Sequence, residues 1–178
     1  MLVGGSDRRF RRFVDNLVRL SARMQGLRAA LAAAMAVTPP QYNIIMILAR
    51  TRSPSGESMG RIADHLGVSL SFVVAEARAL SELGLVALHR NPADRRSVLA
   101  RLTKSGRSRI ARVAPKIRGV NDMLFAGLTR SQFITMDGIV QRVLEGAEEA
   151  DSLFEGNGRR RSRRAGSTPK RAAGKMVK

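Results

Sequence analysis

Two adjacent arginines in a predicted turn are the residues of this sequence best suited to bind a polyanion. Arg95 and Arg96 follow the segment 91–94, Asn-Pro-Ala-Asp, whose residue types are typical of a tight turn. Extended segments precede and follow this turn, so the arginines are expected near the tip of a hairpin. Guanidinium groups so placed fit the narrow, electronegative minor groove of DNA. The alternative is a solvated, arginine-rich turn.

The residue types that catalysis or metal binding needs are scarce. The chain has no cysteine, and His65 and His89 are its only histidines. A zinc site would therefore need distant acids, and structural or surface roles suit the histidines better. We find no Ser-His-Asp set, glycine-rich phosphate loop or paired carboxylates at a plausible spacing. We predict a protein that is not an enzyme, with no catalytic residues, no metal and no cofactor.

The charge of the chain points to a polyanionic partner. The formal net charge is +18, of which nine positive charges lie in the acid-free tail 156–178, leaving +9 on the rest. Nucleic acid is the expected partner, and an anionic membrane surface is a less favoured one. For the tail 156–178, the alternative is that its charge only keeps the protein soluble. That tail has too little apolar surface to fold alone. Without a long apolar run or a signal peptide, the predicted location is cytoplasmic, with no membrane partner.

Two short helices and a hairpin are predicted to position these cations. An apolar stripe over 59–66 ends at Gly67, Ser69 caps a second helix, and Gly84 ends that helix. Residues 85–90 and 98–102 read as strands around the turn. The expected fold class is mainly α, with a winged helix-turn-helix lobe whose wing is a small β-hairpin.

The second helix of a helix-turn-helix enters the major groove, and its N-terminal residues face base edges. The predicted DNA-binding residues of this helix are Ser69, Ser71, Phe72, Val74 and Arg78. The serines can donate to phosphates or bases, while Phe72 or Val74 can touch thymine methyls. Leu70, Phe72 and Val74 could instead be core or dimer-contact residues.

Capping residues mark where two further helices begin. Thr38 and Gln41 have the spacing of a capping box, and so do Thr129 and Gln132. The segment 50–57 reads as a loop, and the last helix is expected to end near Phe154.

Long helices flank the lobe. In the segment 7–36, apolar residues recur at alternating spacings of three and four, which makes an a/d-type seam that needs a partner. The seam consists of Phe10, Phe13, Leu17, Leu20, Met24, Leu27, Leu31 and Ala34. Dimerisation with the same helix of a second chain would bury this seam, and so would packing against other helices of the same chain. We divide the chain into a dimerisation helix (7–36), a DNA-binding domain (37–103), C-terminal dimerisation helices (104–155) and the basic tail (156–178).

This order of elements resembles the MarR family of bacterial transcription regulators over about residues 10–154. The resemblance rests on Thr-Pro-Pro-Gln-Tyr at 38–42, Ile-Ala-Asp-His-Leu-Gly-Val-Ser at 62–69, Leu-Gly-Leu-Val at 83–86, Asp-Arg-Arg at 94–96 and Leu-Thr at 102–103. It implies a homodimer in which the first and last helices form the base and two winged lobes straddle a pseudo-palindromic operator. It also implies that Asp94 pairs with a neighbouring arginine and fixes the wing tip.

The resemblance further implies a small-molecule effector, bound between the dimer helices and the DNA lobe. There Arg19 and Arg23 could meet a carboxylate or phosphate, and Tyr42 or Asn43 could orient it. The alternative is that these arginines are solvated helix surface. The sequence departs from the family at two positions of the second helix of the helix-turn-helix: the family often has threonine in place of Phe72 and arginine in place of Ala75. Without an arginine at position 75, no side chain there can form two hydrogen bonds to a guanine.

The predicted function is a sequence-specific transcription regulator bound to double-stranded DNA. It is expected to be a repressor released by a ligand such as an aromatic acid or its coenzyme A thioester. The alternative is a nucleoid-type architectural protein that coats DNA with little sequence preference.

Overall fold

The computed structural model describes residues 6–94 and 96–165, with only the backbone given for 151–165. Its contacts define two compact units, Met1–Leu124 and Phe125–Lys178. The elements in chain order are α1 (Arg8–Ala34), α2 (Pro39–Arg50), β1 (Glu57–Ser58), α3 (Met59–Leu66), α4 (Leu70–Glu82), β2 (Val86–Arg90), β3 (Val98–Leu102), α5 (Lys104–Phe125) and α6 (Arg130–Ala165). The predicted mainly helical, winged fold is confirmed.

Local capping fixes the corner between α1 and α2. Thr38 accepts a hydrogen bond from the Gln41 amide at 3.3 Å, and the Gln41 side chain accepts one from the Thr38 amide at 3.1 Å. Pro39 occupies the first turn, where its missing N–H costs nothing. The predicted capping box is therefore confirmed, and it directs α2 into the core of the first unit.

The core joins α1, α2, the helix-turn-helix and the sheet. Its largest fully buried side chains are Met35, Ile44, Ile45, Ile62, Leu80, Leu85, Val73 and Val86. Gly67 ends α3 at φ +64, a left-handed conformation that glycine adopts without strain. Ser69 then caps α4 by accepting from the Phe72 amide at 3.3 Å. The tight α3–α4 junction is thus built as the sequence predicts.

The sheet has three antiparallel strands in the order β1-β3-β2. Strands β2 and β3 form the predicted hairpin, with Val86 opposite Leu102 and Arg90 opposite Val98. The sequence does not predict strand β1, because its residues 50–57 indicate a loop. Its two residues pair with Leu99 and Ala100, and so short a strand carries no alternation that a sequence could reveal.

The N-terminus of α5 is tied to the start of β2. Thr103 donates its hydroxyl to the Gly84 carbonyl at 2.7 Å and accepts from the Gly106 amide at 3.0 Å. Further along α5, Arg109 donates to the Met35 carbonyl at the end of α1, at 2.7 Å. Helix α5 is therefore joined both to the wing and to α1.

In the second unit, the predicted capping box at Thr129 and Gln132 is confirmed by bonds of 2.9 and 3.3 Å. The rings of Phe125 and Phe133 meet edge to face, with centroids 5.5 Å apart. Helix α6 continues past Phe154, where the sequence predicts its end, to Ala165. The prediction of an unfolded tail is therefore wrong for residues 156–165, because a helix that is already formed can extend into residues with little apolar surface. Residues 166–178 lie outside the described part of the chain, and for them the tail remains a prediction.

Among the described helices, none is by itself long and apolar enough to cross a membrane. Only α1 and α2 taken together, across a bend of 86°, meet that criterion of length and composition.

Candidate nucleic-acid interface and effector cavity

The first turns of α4 present a short, largely apolar surface. Leu70 is 53% exposed and Phe72 is 39% exposed, although both are large hydrophobic residues. Ser69 and Ser71 lie beside them, with their hydroxyls 3.1 Å apart. Because Ser69 also caps the helix, only its remaining hydrogen-bonding capacity is available to DNA. This surface can offer methyl contacts and one or two hydroxyls to a duplex.

The structure separates the five predicted α4 residues by exposure. Ser69, Ser71, Phe72 and Arg78 are exposed. Val74 is half-buried against the core, so it is less available than predicted. Leu70, which the predicted contact set omits, is more exposed than Phe72. The helical phase, fixed by the burial of Val73, decides which apolar residues face outward.

The wing tip is organised by Asp94, but through the backbone. Its carboxylate accepts from the Arg96 amide at 3.0 Å, and its carbonyl accepts from the Ser97 amide at 2.9 Å. Among the described residues, no ion pair joins Asp94 to an arginine, and because Arg95 lies outside them, the pairing implied by the resemblance stays a prediction. Arg96 is left exposed. Arg95 lies outside the described residues and remains a prediction.

A groove connects α4 to the wing. Its cavity of about 290 Å³ is lined by Met59, Val74, Arg78, Leu88, His89, Arg90 and Val98. Arg78 and Arg90 thus flank one groove from two elements. Arg96 adds a third exposed cation at the tip of the same wing. A lobe that carries cations and an exposed apolar surface on α4 suits DNA, which combines phosphates with thymine methyl groups in its major groove.

A second cavity lies between the helices and the DNA-reading lobe. It measures about 360 Å³ and is lined by Met24, Leu27, Arg28, Leu31, Tyr42, Asn43, Met46, Ile47, Arg50, His65, Leu66, Ile117, Val120, Asn121 and Leu124. These residues come from α1, α2, α5 and the end of α3, and we call this the effector cavity. Its mostly apolar lining with a few polar groups is typical of a small-molecule site.

The effector cavity contains only half of the predicted ligand-binding set. Tyr42 and Asn43 line it, whereas Arg19 and Arg23 are exposed on α1 and do not. Its cations are instead Arg28 and Arg50. The spacing of residues in the sequence could not predict which arginines line the cavity, because α1 carries arginines on several faces. Only the packing of α1 against α2 shows which of these faces meets the cavity.

Tyr42 supplies a neutral hydroxyl to the effector cavity. The residue is 4% exposed, and burial raises the pKa of its phenol above the ordinary value of a tyrosine, although Arg28 and Arg50 oppose the shift. The phenol therefore stays protonated at neutral pH and can donate to a carboxylate that the two arginines attract. No described group of three or more potential metal ligands lies in or near either site.

A helix-turn-helix followed by a hairpin with an exposed basic tip defines the winged helix-turn-helix class of fold. The model of the MarR family matches residues 37–97, from the start of the α2 capping box to the wing. The chain therefore has the winged-helix fold of the MarR-family transcription regulators, and the resemblance seen in the sequence is confirmed. No curated protein matches the sequence.

Solved structures give the same fold. A MarR-family regulator from Silicibacter pomeroyi DSS aligns with a TM-score of 0.70 at 19% identity, covering 84% of this chain and 99% of that one. CouR from Rhodococcus jostii RHA1, bound to p-coumaroyl-CoA, aligns at 0.64 with 20% identity, covering 71% and 87%. PcaV from Streptomyces coelicolor, in complex with its natural ligand, aligns at 0.56 with 25% identity, covering 72% and 91%.

Proposed function

We propose that this protein is a homodimeric, sequence-specific transcription regulator of the cytoplasm that binds a pseudo-palindromic operator. It acts as a repressor that a small aromatic acid, or the coenzyme A thioester of one, releases from DNA. The observation that carries the proposal is the effector cavity, because His65 and Leu66 at the end of α3 line it together with residues of the flanking helices. A ligand there touches the DNA-reading lobe directly.

Exposed apolar side chains on α1 and α6 support the homodimer. Along α1 they are Phe10, Phe13, Val14, Leu17, Val18 and Leu20, and along α6 they are Phe133, Ile134, Ile139, Val140, Val143 and Leu144. Apolar surface arranged along two long helices is expected to be covered in solution. A second copy of the chain covers it in a dimer, which would set the spacing between two winged lobes.

The wing should contribute strongly to DNA binding. Replacing Arg96 by alanine is expected to weaken operator binding about tenfold, equal to about 1.4 kcal/mol, because its exposed guanidinium enters the minor groove. The measurement is a gel-shift titration, with dimerisation checked by analytical ultracentrifugation. Arg118→Ala is the control, since this exposed arginine lies on α5 away from the wing. Equal affinities for all three proteins would refute the role of the wing.

The class of effector follows from the lining of the cavity. Leu27, Met46 and Ile117 are among the side chains that offer an apolar wall, while Arg28 and Arg50 offer two cations. An aromatic ring bearing a carboxylate or thioester matches both features. CouR, bound to p-coumaroyl-CoA, and PcaV, in complex with its natural ligand, share the fold and bind ligands.

Matched arginine variants test where the effector binds. Arg28→Gln with Arg50→Gln is expected to abolish the thermal stabilisation that an aromatic acid gives, because both cations of the cavity are lost. Arg19→Gln with Arg23→Gln removes the same charge from the exposed face of α1 and should leave the stabilisation intact. The measurement is a thermal-shift titration with p-coumarate, p-coumaroyl-CoA and benzoate. If none of them stabilises the wild-type dimer, the proposed effector class is wrong.

One observation favours a nucleoid-type binder as the second candidate. On α4, no exposed long polar side chain precedes Arg78, because Glu76 is half-buried, so hydrogen-bond reading of bases is limited. A regulator should prefer its operator over random DNA by at least about 10³-fold at physiological salt. A coating protein should instead show a steep salt dependence and almost no preference. Competition between the two duplexes distinguishes the candidates.

A further inference from the structure

Another cavity of the first unit lies at the base of the wing, apart from the effector cavity. It measures about 670 Å³ and is lined by parts of α2, the loop 51–56, β2, β3 and the start of α5. We call it the wing-base cavity. It shares no lining residue with the effector cavity, since the two use different residues of α2 and α5.

The lining of the wing-base cavity is cationic and contains no acid. Its charged residues are Arg52, Arg101, Lys104 and Arg107. None of these four forms an ion pair with a carboxylate of the described chain. Glu57, the acid that follows the loop, is engaged elsewhere with Arg61 at 3.5 Å and with the Ser58 amide. Four cations around one cavity create a strong local positive potential that attracts a multiply charged anion.

The backbone holds this cavity in place. Gly56 has φ +89 and lies so close to the Ala100 carbonyl that a side chain there would overlap it, which fixes the loop against β3. Arg107 donates to the Leu102 carbonyl at 2.8 Å, so one of the four cations is anchored. The α5 N-terminus, which begins at Lys104, adds the positive end of a helix dipole.

The wing-base cavity and the groove beside α4 use different residues of the wing. Ala87 and Arg101, which are directly paired across β2 and β3, line the wing-base cavity. Leu88, His89 and Val98 line the groove beside α4 instead. The two cavities share no lining residue, so the wing-base cavity is a site distinct from the groove beside α4.

We propose that the wing-base cavity binds a small molecule that joins phosphate groups to an apolar or aromatic group, as a nucleotide does. The four cations would hold the phosphates. The Ser53 hydroxyl can donate to them as well, since the Ser55 hydroxyl can be the donor in the 2.7 Å bond between the two serines. Leu48, Leu102 and Ile110 provide the apolar wall on which a base or a similar ring would lie.

Calorimetric titration of the full-length protein with ADP and with pyrophosphate tests the proposal at about 0.15 M salt. ADP should bind saturably, once per chain, and pyrophosphate more weakly because it does not use the apolar wall. Arg101→Gln with Lys104→Gln should weaken ADP binding at least about tenfold. Arg9→Gln with Arg12→Gln removes the same charge from the start of α1 and should leave ADP affinity within about twofold, since screened distant charges contribute little.

Two results would overturn the proposal. The first is the absence of saturable ADP binding to the wild-type protein. If the cavity variant then also weakens duplex binding more than the control does, the phosphates that the cavity meets are those of DNA. The second is an equal loss of affinity in both double variants, which would mean that only net charge matters. Arg52→Gln in the exposed loop repeats the test if the double variant does not fold. ADP binding requires neither operator nor effector, so its outcome is separate from that of the proposed function.

Discussion

Replacing Gly106 by alanine is expected to destabilise the fold by about 3 kcal/mol, because the new methyl group would overlap backbone that cannot move freely. A Cβ at this buried position would overlap the Leu85 carbonyl oxygen and meet Leu102 Cδ2 at 3.2 Å. The Leu85 carbonyl already accepts from the Thr103 amide at 3.1 Å and from its hydroxyl at 3.2 Å. Relief of the overlap would therefore break the bonds that join α5 to the wing.

The measurement is urea unfolding at a fixed protomer concentration, since the stability of a dimer depends on concentration. Gly60→Ala in α3 is the matched control, because nothing lies within 4 Å of a Cβ built there. It should change the free energy of unfolding by no more than about 1 kcal/mol, in the stabilising direction if at all. Equal stability of Gly106→Ala and wild type would show that α5 and the wing are not held by this close approach.

The second large effect concerns how α4 reads its operator, and it rests on the proposed function. Replacing thymine by uracil under α4 is expected to weaken binding about a hundredfold, because uracil lacks the methyl groups that Leu70 and Phe72 are placed to bury. Each buried methyl contributes about 0.8 kcal/mol, so about two in each of two half-sites give about 3 kcal/mol.

The experiment first selects a duplex from random DNA and maps the protected bases. Thymines in the protected half-sites are then replaced by uracil, and thymines outside them serve as the control. Leu70→Ala with Phe72→Ala should bind the thymine operator more weakly and should no longer distinguish uracil from thymine. If Leu70 and Phe72 only stabilised the fold, their replacement would weaken binding to both operators equally and would leave the preference for thymine over uracil unchanged. If the wild-type protein binds both operators equally, the apolar surface of α4 does not read methyl groups.

Local rules predicted most of the elements of this fold. The capping residues Thr38, Ser69 and Thr129 and the stop at Gly67 each act through hydrogen bonds or backbone preferences a few residues away. Such signals are written in short stretches of sequence, and tertiary packing did not override them here. The hairpin was equally visible, because its turn chemistry and its two extended segments are adjacent.

Long-range placement was not predictable in the same way. Strand β1 exists only because β3 is there to pair with it. Arg28 rather than Arg23 lines the effector cavity because α2 packs on one face of α1. The wing-base cavity joins residues of α2 to residues more than fifty positions later, and no spacing in the sequence marks it.

The sequence by itself determined that this is a basic, mainly helical chain with a winged helix-turn-helix, because helix caps, turns and hydrophobic periodicity act locally. The tertiary structure alone decided which side chains the lobe exposes, which arginines meet a cavity, and that the wing has a second, cationic cavity at its base. These features depend on how helices and strands pack, and packing is set by contacts between residues that are distant in the chain.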